Sequence, residues 1–279
     1  MTILTPALPL WKIRSKPEAE QLLPSLFAFG KPIAQFQESH ADGAPVTAYS
    51  ATAGEVVDLK VTVGPDGEVN WRETLICPKT GLNSRLRAAY HAYLTERLSR
   101  GHRRIYLTER RTPFYDWLAG AGYDVVGSEY LSDVEFGTEC ADGVRSEDLT
   151  KLSFPDASFD ALMSFDVLEH VPDYRAALRE CARVLKPGAT AIMTAPFVNE
   201  EQTVVRASVD EEGVITHHLP AEHHGDPLQV EGILCYYHFG WSLLDDMREA
   251  GFSDASVAFY ASREFGYLGP MQSMFLATR

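Results

Sequence analysis

Residues 154–173 read FPDASFDALMSFDVLEHVPD, and residues 183–196 read RVLKPGATAIMTAP. The apolar run at 161–165 has the length of a buried strand, and a second such run lies at 190–195. Between them, residues 174–185 have the apolar spacing of a helix that packs against a sheet. A strand, a helix and a strand in this order predict two parallel neighbours in one sheet.

The same alternation continues on both sides of this stretch. Strands are predicted at 105–108, from Val125, near 256–260 and at 274–277, and helices from Thr112-Pro113 and at 241–250. These elements predict an α/β domain over residues 101–279, with a doubly wound, mostly parallel sheet and a ligand site at the carboxyl ends of its strands. The stretch 198–235 is too long for an ordinary connection, so we expect a substrate lid there.

Residues 1–100 have a different pattern, which predicts a small N-terminal α+β extension. Residues 1–55 look irregular, apart from short helical pieces near 17–27. Alternating apolar residues predict a strand at 57–63, a turn at 64–67 and a second strand at 69–76, so we expect a hairpin. A helix is predicted through 86–94, with its end near Gly101.

Composition excludes several classes of protein. The chain has 279 residues and a formal net charge of −14, which argues against binding to the phosphate backbone of nucleic acids. Its four cysteines form no C-x-x-C pair, so we expect no disulfide framework and a cytoplasmic location. No apolar run approaches the roughly 20 residues that span a membrane, and we expect no signal peptide.

Three linked motifs carry a resemblance to a known family. They are Glu147-Asp148-Leu149, the run 154–171 and the run 183–188. With this spacing the chain resembles the class I S-adenosylmethionine-dependent methyltransferases, most clearly over about residues 101–200. The resemblance implies a Rossmann-like, doubly wound sheet of seven mostly parallel strands, with S-adenosylmethionine as the cofactor.

The resemblance also implies positions for that cofactor. Asp148 is expected to take the adenine amino group, the Leu149 amide a ring nitrogen, and Asp166 to face the methionine part and the substrate. Glu129 stands where the family keeps an acid for the ribose, and a carboxylate at a strand end can accept both ribose hydroxyls. The neighbours assigned to the same site are Tyr130 and Phe165. Each of the three acids has a local alternative, as a cap, a turn residue or a solvated loop acid.

The loop after the first strand departs from the family pattern, because it lacks the glycines of G-x-G-x-G. Such glycines let backbone amides approach a cofactor closely. In their place stand Thr108, Glu109, Arg110 and Arg111, followed by Thr112-Pro113. We expect Glu109 to accept hydrogen bonds from the ammonium group of the cofactor, and at least one of the two arginines to bind its carboxylate. The alternative is that both arginines point to solvent.

Histidines are concentrated near the expected lid: His217, His218, His223, His224 and His238. His170 follows the fourth strand, where the resemblance places the methyl group, and its ordinary pKa near 6.5 suits a general base. We take His170 and His238 as the candidate catalytic residues. A metal site among the histidines at 217–226 stays open, and we assign no metal ligand.

A second partial resemblance lies at Cys77-Pro78-Lys79-Thr80-Gly81, which is similar to the C-P-x-C-G knuckle that precedes some bacterial methyltransferase domains. Thr80 replaces the second cysteine, and one thiolate cannot build a tetrahedral zinc site, so we expect no zinc there. Arg85 and Arg87 are either solvated helix residues or reach an acidic group of the substrate or cofactor.

The leading hypothesis is methyl transfer from S-adenosylmethionine to an oxygen or nitrogen of a small molecule. One alternative keeps the cofactor but uses its aminocarboxypropyl part, which the altered loop motivates. Another is a non-catalytic binding module with a decayed site. The sequence leaves the acceptor and the oligomeric state open.

Overall fold

The computed structural model describes residues 6–97, 104–225 and 232–279. The α-helices in this part of the chain are α1 (Lys16–Glu38), α2 (Ser84–Arg97), α3 (Pro113–Gly120), α4 (Tyr174–Val184) and α5 (Leu243–Glu249). The strands are β1 (Trp11–Ile13), β2 (Val46–Ser50), β3 (Glu55–Leu59), β4 (Arg104–Leu107), β5 (Asp124–Glu129), β6 (Arg145–Ser146), β7 (Phe159–Phe165), β8 (Leu185–Thr194), β9 (Val204–Val205), β10 (Ala207–Val209), β11 (Ile215–His217), β12 (His223–His224), β13 (Ile233–Leu234), β14 (Tyr237–His238), β15 (Asp254–Ser262) and β16 (Tyr267–Thr278). A 3₁₀ turn covers Leu168–His170.

Eight of the described strands form one large sheet in the order β1-β15-β16-β8-β7-β4-β5-β6. Strands β6, β5, β4, β7 and β8 are parallel, and β16 runs antiparallel between β8 and β15. The chain leaves β4 for β5 on one side and returns to β7 on the other, which is the switch point where such sheets bind ligands. This confirms the α/β fold and the doubly wound sheet. The short β1 adds an eighth strand at the edge.

Helix α3 begins where the sequence predicts. Thr112 is its N-cap, in an extended conformation, and the Thr112 hydroxyl accepts a hydrogen bond from the amide of Tyr115. Pro113 occupies the first turn, where its missing amide hydrogen costs nothing. The cap therefore fixes the direction in which the chain leaves β4, and with it the loop that faces the ligand site.

The first 60 residues are more regular than we predicted. In place of short helical pieces near 17–27, α1 is one helix of 23 residues, capped by Ser15. Pro24 and Pro32 lie inside it and suggested irregular structure. The helix persists because Ala19, Leu26 and Ile33 bury one face of it, and tertiary packing outweighs local propensity.

The hairpin is formed by different strands from those predicted. Strand β3 pairs antiparallel with β2 and not with a strand at 69–76. Val46 lies opposite Leu59 at one end of the pair, and Ser50 lies opposite Glu55 at the other. The amide of Gly54, at φ 73°, donates to the carbonyl of Ser50 and closes this tight turn. Residues 69–76 contribute a single bridge, from Ile76 to Lys60. The turn at 64–67 is present, but a two-strand hairpin does not follow it.

Helices cover both faces of the large sheet. One buried cluster packs α1, α4 and α5 on one face, with Leu178 and Met247 fully buried, and the other packs α2 and α3 on the opposite face, with Tyr93 and Phe114. The expected lid region holds the short strand pairs β10–β11 and β12–β13, while β9 pairs with β14. No helix in the described ranges has the length and apolar character needed to cross a membrane.

Candidate functional site

A cavity of about 1620 Å³ opens at the carboxyl ends of β4, β5 and β7. Nine of the ten residues assigned to the cofactor line it: Thr108, Glu109, Arg111, Glu129, Tyr130, Asp148, Leu149, Phe165 and Asp166. The parallel strands bring them together because their carboxyl ends meet at one edge of the sheet. Residues from the N-terminal extension and from the lid region complete the wall.

Glu109 lies in the loop after β4, which contains no glycine, and it lines the cavity. Its Oε1 accepts a hydrogen bond from the amide of Phe165 at 3.1 Å, and its Oε2 accepts one from the Thr108 hydroxyl. The side chain keeps an opening to the cavity, yet the surrounding protein removes enough water to raise the pKa of Glu109 to about 8. A cation placed beside Glu109 would restore the charged carboxylate.

The two loop arginines have different surroundings. The guanidinium of Arg110 lies 3.9 Å from the ring centre of Tyr115 and 3.1 Å from Asp116, so it stacks along α3. Arg111 lines the cavity and pairs with Asp142 at 2.9 Å. The expectation of an arginine near the ligand therefore rests on Arg111 within the loop, since the fixed contacts of Arg110 turn it away.

The acids at the ends of β5 and β6 are held by local hydrogen bonds. Glu129 accepts from the amide of Arg111 at 2.6 Å, which ties it to the altered loop. Asp148 accepts from the amide and the hydroxyl of Thr150, at 2.8 and 2.7 Å. Tyr130 is exposed at the rim, where its ring lies 5.4 Å from that of Phe136. Both acids thus have fixed orientations at the edge of the cavity.

Asp166 ends β7 with φ at 56°, a left-handed conformation that non-glycine residues adopt at some cost. Its carboxylate accepts hydrogen bonds from Arg72 at 2.6 and 2.8 Å and from Thr194 at 2.9 Å, and Arg85 lies 3.5 Å away. Burial works against the charge, but Arg85 and Arg72 outweigh it and lower the pKa of Asp166. Asp166 is therefore a fixed negative charge at the cavity wall.

The sequence pattern gave no indication of two members of this network, Arg72 and Glu73. It left the role of a third member, Arg85, open. Arg85 binds Glu73 at 2.9 Å and, like Arg72, lines the cavity. No local pattern places Arg72 near Asp166, which is 94 positions away. Only the fold of the N-terminal extension over the sheet brings them together.

Arg87 has neither of the roles expected for it. Its side chain is fully buried and donates to the backbone carbonyls of Leu75, Phe265 and Gly266, at 2.9 to 3.2 Å. It therefore holds the extension against the turn between β15 and β16. An arginine satisfied by three carbonyls is a structural element, not a ligand for cofactor or substrate.

The second predicted cluster, around His170, lies at another wall of the cavity. Nδ1 of His170 lies 2.8 Å from the carbonyl oxygen of Leu234, and the buried Glu169 and the lid residue His224 flank it. The carboxylates of Glu169 and Glu222 raise the pKa of His224 to about 9. The sequence pattern suggested His170 but gave no signal for Glu169.

His238, the other candidate catalytic residue, is not among the residues that line this cavity in the described part of the chain. Its Nε2 lies 3.0 Å from Glu222, which also binds His224 and Arg206. Cys235 is close by, and burial raises the pKa of its thiol to about 11. His238 therefore lies outside the cavity lining and is linked to the lining residue His224 through Glu222.

Cys77 lies apart from these clusters. It is buried, and within the described ranges it belongs to no group of three possible metal ligands. Thr80, which replaces the second cysteine of the knuckle, pairs through its hydroxyl with Thr52 at 3.3 Å. The segment is stabilised by hydrogen bonds where the related knuckles have a second cysteine.

Residues 113–193 match the family model described as a methyltransferase domain. A segment of 53 residues is 40% identical to a probable S-adenosylmethionine-dependent methyltransferase of Mycolicibacterium smegmatis, and covers 19% of this chain and 21% of that protein. A segment of 62 residues is 46% identical to the 27-O-demethylrifamycin SV methyltransferase of Amycolatopsis mediterranei. It covers 22% of this chain and 23% of that protein. The matches thus span about a fifth of the length of these relatives.

Among solved structures, the chain is similar to S-adenosylmethionine-bound CalS10, an amino pentose methyltransferase from Micromonospora echinaspora. The identity is 16% and the TM-score 0.42, over 69% of this chain and 90% of that one. Residues 113–193 thus match a methyltransferase domain, and they lie within the doubly wound, mostly parallel sheet.

Proposed function

We propose that the chain binds S-adenosylmethionine in the 1620 Å³ cavity and transfers its methyl group to an oxygen or nitrogen of a small molecule. One observation carries the proposal. Nine of the ten residues that the sequence predicts for the cofactor site line a single cavity at the switch point of the sheet.

The order of these residues along the sheet edge indicates the direction of the cofactor. Asp148 and Leu149 would bind the adenine, and Glu129 the ribose hydroxyls. Glu109 and Asp166 would face the methionine part, where a carboxylate attracts both the ammonium group and the positively charged sulfur. The cavity therefore has acidic groups for the cationic portion of the cofactor.

The carboxylate of the methionine part needs a cationic partner, which a loop without glycine does not supply through its backbone. Arg85 and Arg72 line the cavity beside Asp166 and Glu73, and Arg111 lines it on the loop itself. A guanidinium can bind a carboxylate through two parallel hydrogen bonds. We therefore assign this contact to Arg85 and Arg72 first, with Arg111 as a further contributor.

The remaining volume accommodates an acceptor. Pockets for one drug-sized ligand usually measure about 300 to 1,000 Å³, so this cavity has room for a second molecule beside the cofactor. His170 lies at that part of the wall, and its Nδ1 contact with the Leu234 carbonyl leaves Nε2 able to accept a proton. We propose His170 as the group that assists loss of the acceptor's proton.

The reaction follows from in-line positioning. A lone pair of the acceptor oxygen or nitrogen forms the bond to the methyl carbon, and the carbon–sulfur bond breaks with its electron pair going to sulfur. The products are the methylated acceptor, S-adenosylhomocysteine and a proton, which His170 can receive.

The nucleoside product tests the proposal. The purified chain is incubated with S-adenosylmethionine and fractionated small-molecule extracts, and the nucleosides are separated by chromatography and mass. Methyl transfer yields S-adenosylhomocysteine. Methylthioadenosine would indicate reaction at the aminocarboxypropyl part, and failure of the chain to bind any of these nucleosides would indicate a non-catalytic module.

A further inference from the structure

Three possible metal ligands converge at the cavity wall: Glu169, His170 and His224, here called the Glu169 cluster. Their ligand atoms all lie within 4.8 Å of one another. Glu169 and His170 sit on the 3₁₀ turn after β7, and His224 comes from β12 in the lid region. All three line the cavity, so the cluster is accessible to a ligand from inside it.

Among the described residues, the nearest charged or titratable partners of the buried Glu169 carboxylate are two imidazoles, and neither makes a well-formed hydrogen bond with it. The side chain is 0% exposed, and neither oxygen accepts a hydrogen bond from the described residues. Nδ1 of His224 lies 3.3 Å from Oε1 but outside hydrogen-bonding geometry, and Nε2 of His170 lies 3.8 Å away. A buried carboxylate without hydrogen bonds is costly, and a bound cation removes that cost.

The outer contacts of the two imidazoles aim one ring nitrogen of each at this carboxylate. A carbonyl oxygen only accepts, so the contact with Leu234 at 2.8 Å places a proton of His170 on Nδ1 and turns Nε2 toward Glu169. Glu222 likewise accepts from Nε2 of His224 at 3.0 Å, which turns Nδ1 toward Glu169, and a bound metal ion would take the place of the proton on that nitrogen. Metal-binding histidines have such outer partners, a carbonyl or a carboxylate, on the other ring nitrogen.

We propose that the Glu169 cluster binds a divalent transition-metal ion, with zinc as the type ion. Two imidazoles and one carboxylate with positions open to a cavity are a ligand set of catalytic zinc sites. Nitrogen and oxygen ligands at 2.0–2.2 Å from a tetrahedral ion lie about 3.4 Å apart, close to the separation of His224 and Glu169. This assigns metal ligands where the sequence analysis assigned none.

The neighbouring group of Glu222, Cys235 and His238 is a poorer site, although its ligand atoms also lie within 4.8 Å. Both oxygens of Glu222 already have partners, in His224, His238 and Arg206. The thiol of Cys235 donates to the carbonyl of Tyr237 at 3.3 Å. These residues instead orient His224 from outside.

The metal has a role only if the proposed function holds, whereas the site itself does not depend on it. Open positions on the ion face the part of the cavity assigned to the acceptor. An acceptor hydroxyl bound there would lose its proton more readily, since a bound cation lowers the pKa of a coordinated oxygen. The site therefore favours an oxygen acceptor over nitrogen. With Nε2 of His170 bound to the metal, the proton of the acceptor would pass to solvent rather than to His170.

The test is a calorimetric titration of the chelator-treated chain with Zn²⁺. Neither cofactor nor acceptor is present, so the outcome does not depend on methyl transfer. We expect one Zn²⁺ per chain, and binding weakened at least tenfold in E169Q and in H224Q. H218Q is the matched control, because His218 lies in the same region but binds Ser208 at 2.9 Å; its affinity should equal that of the wild type.

Substitution with Co²⁺ provides a second readout on the wild-type chain, in case the variants fold poorly. Nitrogen and oxygen ligands give visible d–d bands without a strong thiolate band in the near ultraviolet. A thiolate band would place the metal at Cys235 and overturn the proposal. Absence of stoichiometric Zn²⁺ binding, or wild-type affinity in both E169Q and H224Q, would overturn it as well.

Discussion

One guanidinium nitrogen of Arg72 lies between the two carboxylate oxygens of Asp166, 2.6 Å from Oδ1 and 2.8 Å from Oδ2. The pair joins a loop of the N-terminal extension to the end of β7, inside the proposed cofactor cavity. The extension is therefore part of the site. It supplies Arg72 and Arg85 to the cavity, whereas the altered loop after β4 supplies Arg111 alone, since Arg110 stacks on Tyr115.

The first prediction concerns this positive charge. Replacing Arg85 by Gln should weaken binding of S-adenosylhomocysteine by roughly 10- to 100-fold, since a hydrogen bond to a charged group contributes about 1.5–3 kcal/mol. R110Q is the matched control, because Arg110 stacks on Tyr115 and should change affinity less than about twofold. Calorimetry measures both. A larger effect from R110Q than from R85Q would refute the assignment.

The second prediction concerns the ribose. E129Q should lose roughly 1–3 kcal/mol of cofactor binding, because Gln cannot accept both hydroxyls as a charged group does. E135Q removes an exposed acid of the following loop, and Glu135 itself is not among the cavity-lining residues, so this variant should bind normally. Equal affinities of the two variants for S-adenosylhomocysteine would remove Glu129 from the site.

The third prediction follows from the raised pKa of Glu109. With a pKa of about 8 in the empty site, its carboxyl is mostly protonated at pH 7. A bound ammonium group or sulfonium favours the carboxylate, so binding should release close to one proton and the affinity should increase as the pH rises from 6 to 7. Arg85, which lowers the pKa of Glu109, and Asp166, which raises it, are the charged groups nearby.

Calorimetry in buffers of different ionisation enthalpy measures this proton. The E109Q variant supplies the control, since an amide carries no proton to release, and its affinity should not change with pH over that range. Proton release of the same size from E109Q and wild type would show that another group is responsible.

A fourth prediction tests whether the start of the chain belongs to the sheet. Ile13 on β1 is 0% exposed and pairs with Val257, so I13A should lower the free energy of unfolding by about 2–5 kcal/mol. V56A, at a position 61% exposed, should stay within about 0.5 kcal/mol. Denaturant unfolding compares the two, and a neutral I13A would mean that β1 adds nothing to the sheet.

The sequence predicted the elements that have a strong local signal. The cap at Thr112-Pro113, the strand β7 and the helix α4 follow from capping, apolar runs and helical spacing, and all three are present. The carboxyl ends of such strands meet at one edge, which is why most of the candidate cofactor residues were found together. That part of the account required only local pattern and the rules of parallel sheets.

What the sequence did not reveal depends on contacts between distant segments. Helix α1 contains two prolines and is stabilised by its packing, which no local pattern shows. Arg72 reaches Asp166 across 94 positions, and His224 reaches Glu169 from the lid region. The contacts of Arg110 with Tyr115 and Asp116 likewise depend on where α3 begins relative to the loop.

A calorimetric titration of the full chain with S-adenosylhomocysteine shows whether this cavity holds the cofactor. We expect one saturable site per chain, with binding that is weakened in E129Q and R85Q and unchanged in E135Q and R110Q. No saturable binding up to about 1 mM, the upper end of usual KM values, would contradict it.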